Sequence, residues 1–580
     1  FSLLDQVLLR RLPVERPEEL VVLRAPGPRR GHVSTDSDSA TSFPYPVYKQ
    51  LREQNSVFAG LLARYAIPLS VSAQGQTERA SGELVSGNYF DVLGVRPVLG
   101  RMFSLEDDRQ LGAHPVAVLS YGYWTKRFGQ NPAVLNQTML VNGHALTIVG
   151  VARAGFSGVQ VGQTPEIFIP LAMTMQMMPN RGNIEGWDDY WLAVMGRLKP
   201  GTTAQQAAAG IAPLFRSVLQ TQLDNLKGGV DQAWRERFLA KRLELQPGAQ
   251  GRQVLQRDTG APLKVLLGMV ALVLLIACTN VANLLFVRGL GRQRELAIRL
   301  ALGASRWQLM RQVLLESVLL SLAGGAFGLL VAAWISDILI RAIDDGQLAR
   351  GLSAGVDTRV LLFTFGIALA TGVLIGLIPA WRVTRGDMTP ALKDQSAATS
   401  ASHAQTRLRK GLVAAQVALT MLLLVGAGLL TRTLWNLRNV DLGLQPQQLI
   451  TFSVAPELSG YKPDKTITFA DQLLEAVTNT PGVDGAAVTE ISLLTNTDVG
   501  SNVTPEGTSN DTDVQRNWVG PNTFAVLGTP LLAGREFTRN DTPKSPKVAI
   551  LNETAAKRLF PNRNPLGLRI ALGAGNANGA

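Results

Sequence analysis

The chain has 580 residues, a formal net charge of +12 and a mean hydropathy of +0.12. That length calls for roughly three or four domains, and the basic excess does not read as a nucleic-acid surface, because the Arg residues crowd the ends of apolar runs, where they set membrane topology. The single cysteine, Cys278, lies inside one of those runs, which excludes a disulfide framework and leaves a small buried hydrophobe.

In chain order, Phe1–Leu12 reads as the end of a helix that began earlier. The polar Gly-Ala-Asn stretch at the other end falls inside a soluble region, so truncation is expected at both ends. Residues 13–260 read as an α+β region. Pro115–Leu119 and Ala145–Val151 are expected strands, from their β-branched content. Gly122–Phe128 and Thr203–Leu219 are expected helices, the second capped by Thr203 and kinked at Pro213. Glu106, Asp107 and Asp108 read as a solvated turn or helix cap rather than a carboxylate pair for catalysis. The segment Glu185–Trp191 reads as an aromatic and acidic loop that packs locally or meets a partner. His32, His114, His144 and His403 are scattered without metal-ligand spacing. No catalytic residue, metal or cofactor is expected.

Four apolar runs follow, Val265–Phe286, Val313–Ile335, Val360–Trp381 and Gly411–Thr431. Each reaches the roughly 20 residues that cross ~30 Å of hydrocarbon, and none has the polar face of a soluble helix. Between the first two runs lie Arg288, Arg292, Arg294, Arg299, Arg306 and Arg311 against Glu295, which places segment 288–312 in the cytoplasm. The next loop has no basic excess and falls outside. The linker 386–410, with Arg407, Arg409 and Lys410, is inside again. Residues 13–260 and 436–580 then both lie outside. Trp334, Trp381 and Trp435 stand near run ends, where indole prefers the interface. Gly324/Gly328 and Gly372/Gly376 have the small-xxx-small spacing of packed membrane helices.

The two external regions repeat one another. Asn88-Tyr-Phe-Asp-Val-Leu-Gly-Val-Arg-Pro-Val-Leu-Gly-Arg-Met-Phe103 matches Asn522-Thr-Phe-Ala-Val-Leu-Gly-Thr-Pro-Leu-Leu-Ala-Gly-Arg-Glu-Phe537 at a constant offset of 434 residues. Pro115–Ser120 then parallels Lys547–Asn552, Asn131-Pro132 parallels Asn564-Pro565, and Pro17–Val21 parallels Pro446–Ile450. Such a period signals duplication. The unit it implies is one span, an external domain and three further spans, arranged with pseudo-twofold symmetry. The expected fold class is an α-helical transmembrane bundle plus α+β external domains, internally duplicated.

The segment Arg294-Glu-Leu-Ala-Ile-Arg-Leu-Ala-Leu-Gly-Ala-Ser-Arg-Trp-Gln-Leu-Met-Arg-Gln-Val-Leu-Leu-Glu-Ser317 resembles the signature of FtsX-like permeases of the MacB type. Ser81–Gly150 resembles their periplasmic core domain, and the duplicated layout resembles the duplicated acidobacterial permeases of this family. The resemblance implies an ABC-type efflux or mechanotransmission permease of the bacterial inner membrane. It implies a cytoplasmic ABC ATPase partner, a periplasmic adaptor or envelope partner, and a dimer or pseudo-dimer. Its coupling segment maps onto Arg294, Glu295, Arg299, Gly303, Arg306 and Gln312, where Leu296, Leu300 and Leu309 form an apolar stripe and the charges offer a docking face. The plain alternative is an interfacial helix whose Arg residues bind anionic headgroups. No G-x-x-x-x-G-K-[ST] loop occurs, so the chain is expected to depend on a partner for ATP hydrolysis rather than to be an enzyme. Two other readings stay open: a regulator of an envelope enzyme or of lipoprotein extraction, and an ATPase-independent scaffold or receptor.

Overall fold

In the computed structural model the chain divides into two units: residues 1–10 with 255–440, and residues 11–254 with 441–580. The structure describes residues 4–572 except 36–38, 74, 182, 227–231, 292–294, 296–297, 300–301, 343–357, 386–397, 446–447, 457–460, 462, 494–497, 509–511 and 543.

The first unit contains four long helices, Val254–Gly291, Arg306–Ala342, Thr358–Arg385 and Ala398–Arg438. Each holds a stretch apolar and long enough to span a bilayer, of 26, 29, 20 and 26 residues. These stretches leave large apolar side chains uncovered. Leu320, Phe327, Leu330, Leu362 and Leu424 are exposed, as suits a surface solvated by lipid rather than water. The second and third helices pack closely. A Cβ on Gly372 would stand 2.9 Å from the Cα of Val318, and one on Gly376 would stand 2.9 Å from Ser317 Oγ. Ser321 Oγ donates to the Ala368 carbonyl at 2.7 Å and shares a hydrogen bond with Thr371 Oγ1. On the facing helix the approach comes at Gly325, where an added Cβ would stand 3.1 Å from Ala368 Cβ, whereas a Cβ on Gly324 or Gly328 would meet no described atom within 4 Å.

The second unit holds the α+β part. Its main sheet has 11 strands. The path runs Glu244–Pro247, Leu20–Arg24, Leu192–Leu198, Phe58–Ala73, Gln76–Val85, Ile167–Pro170, Val116–Leu119, His144–Ala152 and Pro97–Gly100. Ser42–Phe43 and Thr138–Val141 pair beside that path. The long hairpin Phe58–Ala73/Gln76–Val85 closes at Gly75, whose φ of +76° a side chain would resist. Two clusters of buried side chains form the core, one with Leu23, Tyr48, Leu69, Ile169 and Phe215, the other with Val22, Tyr89, Phe90, Phe103 and Phe168. Adjacent Val22 and Leu23 enter different clusters, the period-two alternation of a strand. Helix Ala204–Asn225 starts at a Thr203/Gln206 capping box and continues through Pro213.

A second sheet of five strands contains Asp189–Tyr190, His32–Thr35, Asp498–Pro505, Thr512–Gln515 and Ile570–Leu572. It joins the two repeats of the sequence: Asp498–Pro505 pairs antiparallel with His32–Thr35.

Candidate coupling site

The segment between the first two long helices ends in a turn built from short-range chemistry. The Leu302 amide donates to the Ile298 carbonyl at 2.9 Å, and the Ala304 amide to the Arg299 carbonyl at 3.0 Å. Gly303 takes φ +95°, open to glycine and strained for any side chain. Ser305 then opens the next helix. Its Oγ accepts from the Gln308 amide at 3.2 Å, and Gln308 Oε1 accepts from the Ser305 amide at 2.9 Å. This is a reciprocal cap in which a Gln stands three residues after the Ser. The Ser-x-x-Gln pattern was present in the sequence and is the signal that would have placed the helix start.

Arg299 bridges the turn. Its Nη2 donates to Glu295 Oε1 at 2.5 Å, one helical turn back, and its Nη1 donates to Gln312 Oε1 at 3.1 Å, on the following helix. Glu295 and Gln312 are exposed and Arg299 is half-buried. Ile298, Leu302 and Trp307 are exposed beside them, while Leu309 is buried. The turn therefore presents apolar side chains and a polar bridge together. Arg294, Leu296, Leu300 and the side chain of Arg306 lie outside the described residues.

The two repeats of the soluble unit carry one local motif. In the first, helix Tyr89–Leu93 ends at Gly94 with φ +66°; in the second, Thr523–Leu527 ends at Gly528 with φ +66°. The Val95 amide bonds the Phe90 carbonyl at 2.9 Å, and the Thr529 amide bonds Phe524 at 2.9 Å. Arg101 then grips Asp107 through two hydrogen bonds of 2.7 and 2.8 Å, and Arg535 grips Asp541 through two of 2.7 Å. The Ser104 and Thr538 amides donate to the same carboxylates at 2.8 Å. Asp107 is thus a structural cap. Burial would raise its pKa, but the Arg101 hydrogen bonds and the Ser104 amide outweigh burial and lower it. Hydrogen bonds from Arg535, followed by the Thr538 amide, hold Asp541 well below the usual carboxylate range.

The family profile of the MacB-like periplasmic core domain matches residues 15–214 and 411–577, well over half of the chain. The chain belongs to this family. The FtsX-like permease C-terminal profile matches residues 267–388, between the two core-domain matches. The MacB-like chain is 28% identical over 318 residues to the macrolide export ATP-binding/permease protein MacB of Shigella flexneri, covering 54% of this chain and 43% of that protein. It is 26% identical over 357 residues to the protein of the same name from Photorhabdus laumondii, covering 60% and 50%. The chain thus spans about half the length of the curated relatives it matches. Two solved structures are similar over 34% of the chain. They are the periplasmic region of MacB from Actinobacillus actinomycetemcomitans, at 12% identity, TM-score 0.27 and 84% of that chain, and the extracellular domain of the ABC-type transporter YknZ from Gram-positive bacteria, at 16%, 0.26 and 93%. The profile matches and the four long apolar helices give the fold class: membrane-type helices with α+β core domains of the MacB-like family, matched in two stretches of the chain.

Proposed function

We propose that this chain is the permease subunit of an ABC-type efflux or mechanotransmission system, in which the turn at Glu295–Gln312 receives the motion of a cytoplasmic ABC ATPase and the helices pass it to the two core-domain copies. The observation that carries this reading is the Arg299 bridge. One guanidinium ties Glu295, before the Gly303 turn, to Gln312, after it. A push on the turn then reaches the second long helix without first unwinding a flexible loop. The exposed Ile298, Leu302 and Trp307 beside the bridge supply the apolar centre that a protein partner needs. Arg294 and Arg306 add positive charge to the same segment of sequence, and Gly372 and Gly376, at the contact of the second and third helices, keep those helices moving together. Gly324 and Gly328 are proposed to meet a helix of another subunit.

The membrane orientation follows from the basic excess around 288–312, which favours the cytoplasmic side and sets the core-domain copies in the periplasm of an inner-membrane protein. The lipid bilayer and an envelope protein are then its other partners. The macrolide in the relatives' name is not carried over, because no residue of the coupling turn or of the core-domain motif speaks to a substrate.

The test is purification of the full-length protein from native membranes in mild detergent, followed by mass spectrometry. An ABC ATPase subunit is expected to copurify, and to be lost when Glu295→Lys or Arg299→Glu is introduced singly into protein that still inserts, since the two together would re-form the ion pair with its charges exchanged. Intact copurification in both variants, or a preparation free of any nucleotide-binding subunit, overturns ATPase coupling and favours a scaffold or an envelope-enzyme regulator.

A further inference from the structure

The seam between the two core-domain copies is made of main-chain hydrogen bonds. Gly500 stands opposite Val33 and Ser501 opposite His32, so one copy extends the sheet edge of the other. His32 is half-buried on this seam, and its Nε2 lies 3.3 Å from Nη2 of Arg516. A guanidinium only donates hydrogen bonds. The contact therefore requires a neutral imidazole that accepts at Nε2.

The surroundings hold Arg516 in place. Its Nε donates to Ser501 Oγ at 2.9 Å, its Nη1 is 3.8 Å from Glu490, and its guanidinium carbon lies 5.0 Å over the Trp518 ring. From the first copy, Asp189 is in register with His32, but Arg181 occupies it at 3.0 Å. On the pairing strand, Asp498 stands opposite Thr35, at the other end of the ladder. Burial first, then Arg516 and Arg181, lower the His32 pKa, while Asp189 and Glu490 pull it up without prevailing.

We propose that His32 makes the joining of the two core-domain copies pH-dependent: the copies pair while the imidazole accepts from Arg516, and the seam loosens when a proton sets two cations against each other. A seam that disfavours the proton binds it less tightly than the parted strands do. The seam is therefore at full strength above the ordinary imidazole value of about 6.5, and weakens as the pH falls through that value. Histidine is the side chain that titrates there without further tuning.

The test uses the full chain in detergent, with Cys278→Ser and spin labels on Lys49→Cys and Lys557→Cys, one exposed site on each copy. Distance distributions are recorded by pulsed electron resonance at about pH 7.5 and about pH 5.5, on either side of the imidazole value. One joined population is expected at the higher pH, with a several-fold loss of it to longer distances at the lower. His32→Gln keeps an oxygen acceptor for Arg516 and cannot titrate, so its two distributions should coincide. Arg516→Gln removes the opposing cation but leaves the burial and Arg181, so it should reduce the shift below its wild-type size, which decides the matter if His32→Gln disturbs the seam by itself. Superimposable wild-type distributions at the two pH values, or a wild-type-sized shift in both variants, would overturn the proposal.

Discussion

The two core-domain copies share their small motifs and differ in what stands behind them. Gly94 and Gly528, Arg101–Asp107 and Arg535–Asp541, and the N-caps Ser120 and Asn552 have matching geometry. Yet Val116–Leu119 is an interior strand of the main sheet, whereas its counterpart 548–551 is in no strand. Asp107 is buried, but Asp541 is only partly covered. The comparison separates two kinds of order. A Schellman-type cap or a bidentate Arg–Asp turn needs only residues within about one helical turn or a tight loop. A sheet strand needs partners far away in the chain, so it varies with its surroundings even when its own sequence is kept.

The largest expected effect lies in what the first copy holds alone. Arg64 and Glu83 form an ion pair with both side chains only 1% exposed. Gln160 and Gln163 accept from the Arg64 guanidinium at 2.7 and 3.0 Å. Arg64→Met leaves a buried carboxylate without its cation and should cost about 3–5 kcal/mol, seen as early unfolding of the first copy by hydrogen exchange while the second copy is unchanged. Equal loss in both copies would break the distinction. Next, Asp107→Asn should cost about 1.5–3 kcal/mol, because it removes charge-assisted bonds at a buried site. Asp541→Asn should cost visibly less, because water reaches Arg535. Comparable midpoint shifts in thermal unfolding would show that burial does not matter here.

The copies should also differ in pH response. Burial pushes Asp108 up to about 6, and the second copy has Thr542 at that place. The folded chain holds the Asp108 proton more tightly than the unfolded chain. Its contribution is therefore full below the ordinary carboxylate value and is lost as the pH rises through about 6. Asp107, lowered, contributes in the opposite sense, and its stabilisation is lost as the pH falls through its folded value. A thermal midpoint that declines between about pH 4 and about pH 6 in the wild type, but not in Asp108→Val, confirms the assignment. The smallest effect should be the most alike. Gly94→Ala and Gly528→Ala each force a side chain into φ +66° and should cost about 1 kcal/mol apiece, and unequal costs would mean that the neighbouring Glu15 or Gln445 side chain decides instead.

The sequence made these levels legible to different degrees. The four long apolar helices were readable, because a bilayer selects for apolarity summed over some 20 consecutive residues. The duplication was readable for the same reason of locality: the Asn88–Phe103 and Asn522–Phe537 motifs keep their own contacts. Glycine spacing pointed to Gly372 and Gly376 on the third helix but does not say which face of the second helix meets them. Gly324 and Gly325 differ by one position, which is roughly 100° around a helix, and it is Gly325 that meets Ala368. The turn at Gly303 was marked by composition, but the Arg299–Gln312 contact depends on how the chain turns there. The Arg64–Glu83 pair was hidden, because a charge inside a strand looks like the solvent-facing half of an alternation. The meeting of His32 with Arg516, 484 residues apart, had no local trace at all.

The seam strand has one further consequence. Two copies tethered in one chain meet at an effective concentration set by the connecting segments rather than by the abundance of the protein. Four paired positions of short strand would be a poor basis for a dimer of separate chains at cellular abundance. Between tethered copies the same contact can be populated, and yet remain weak enough to open and close.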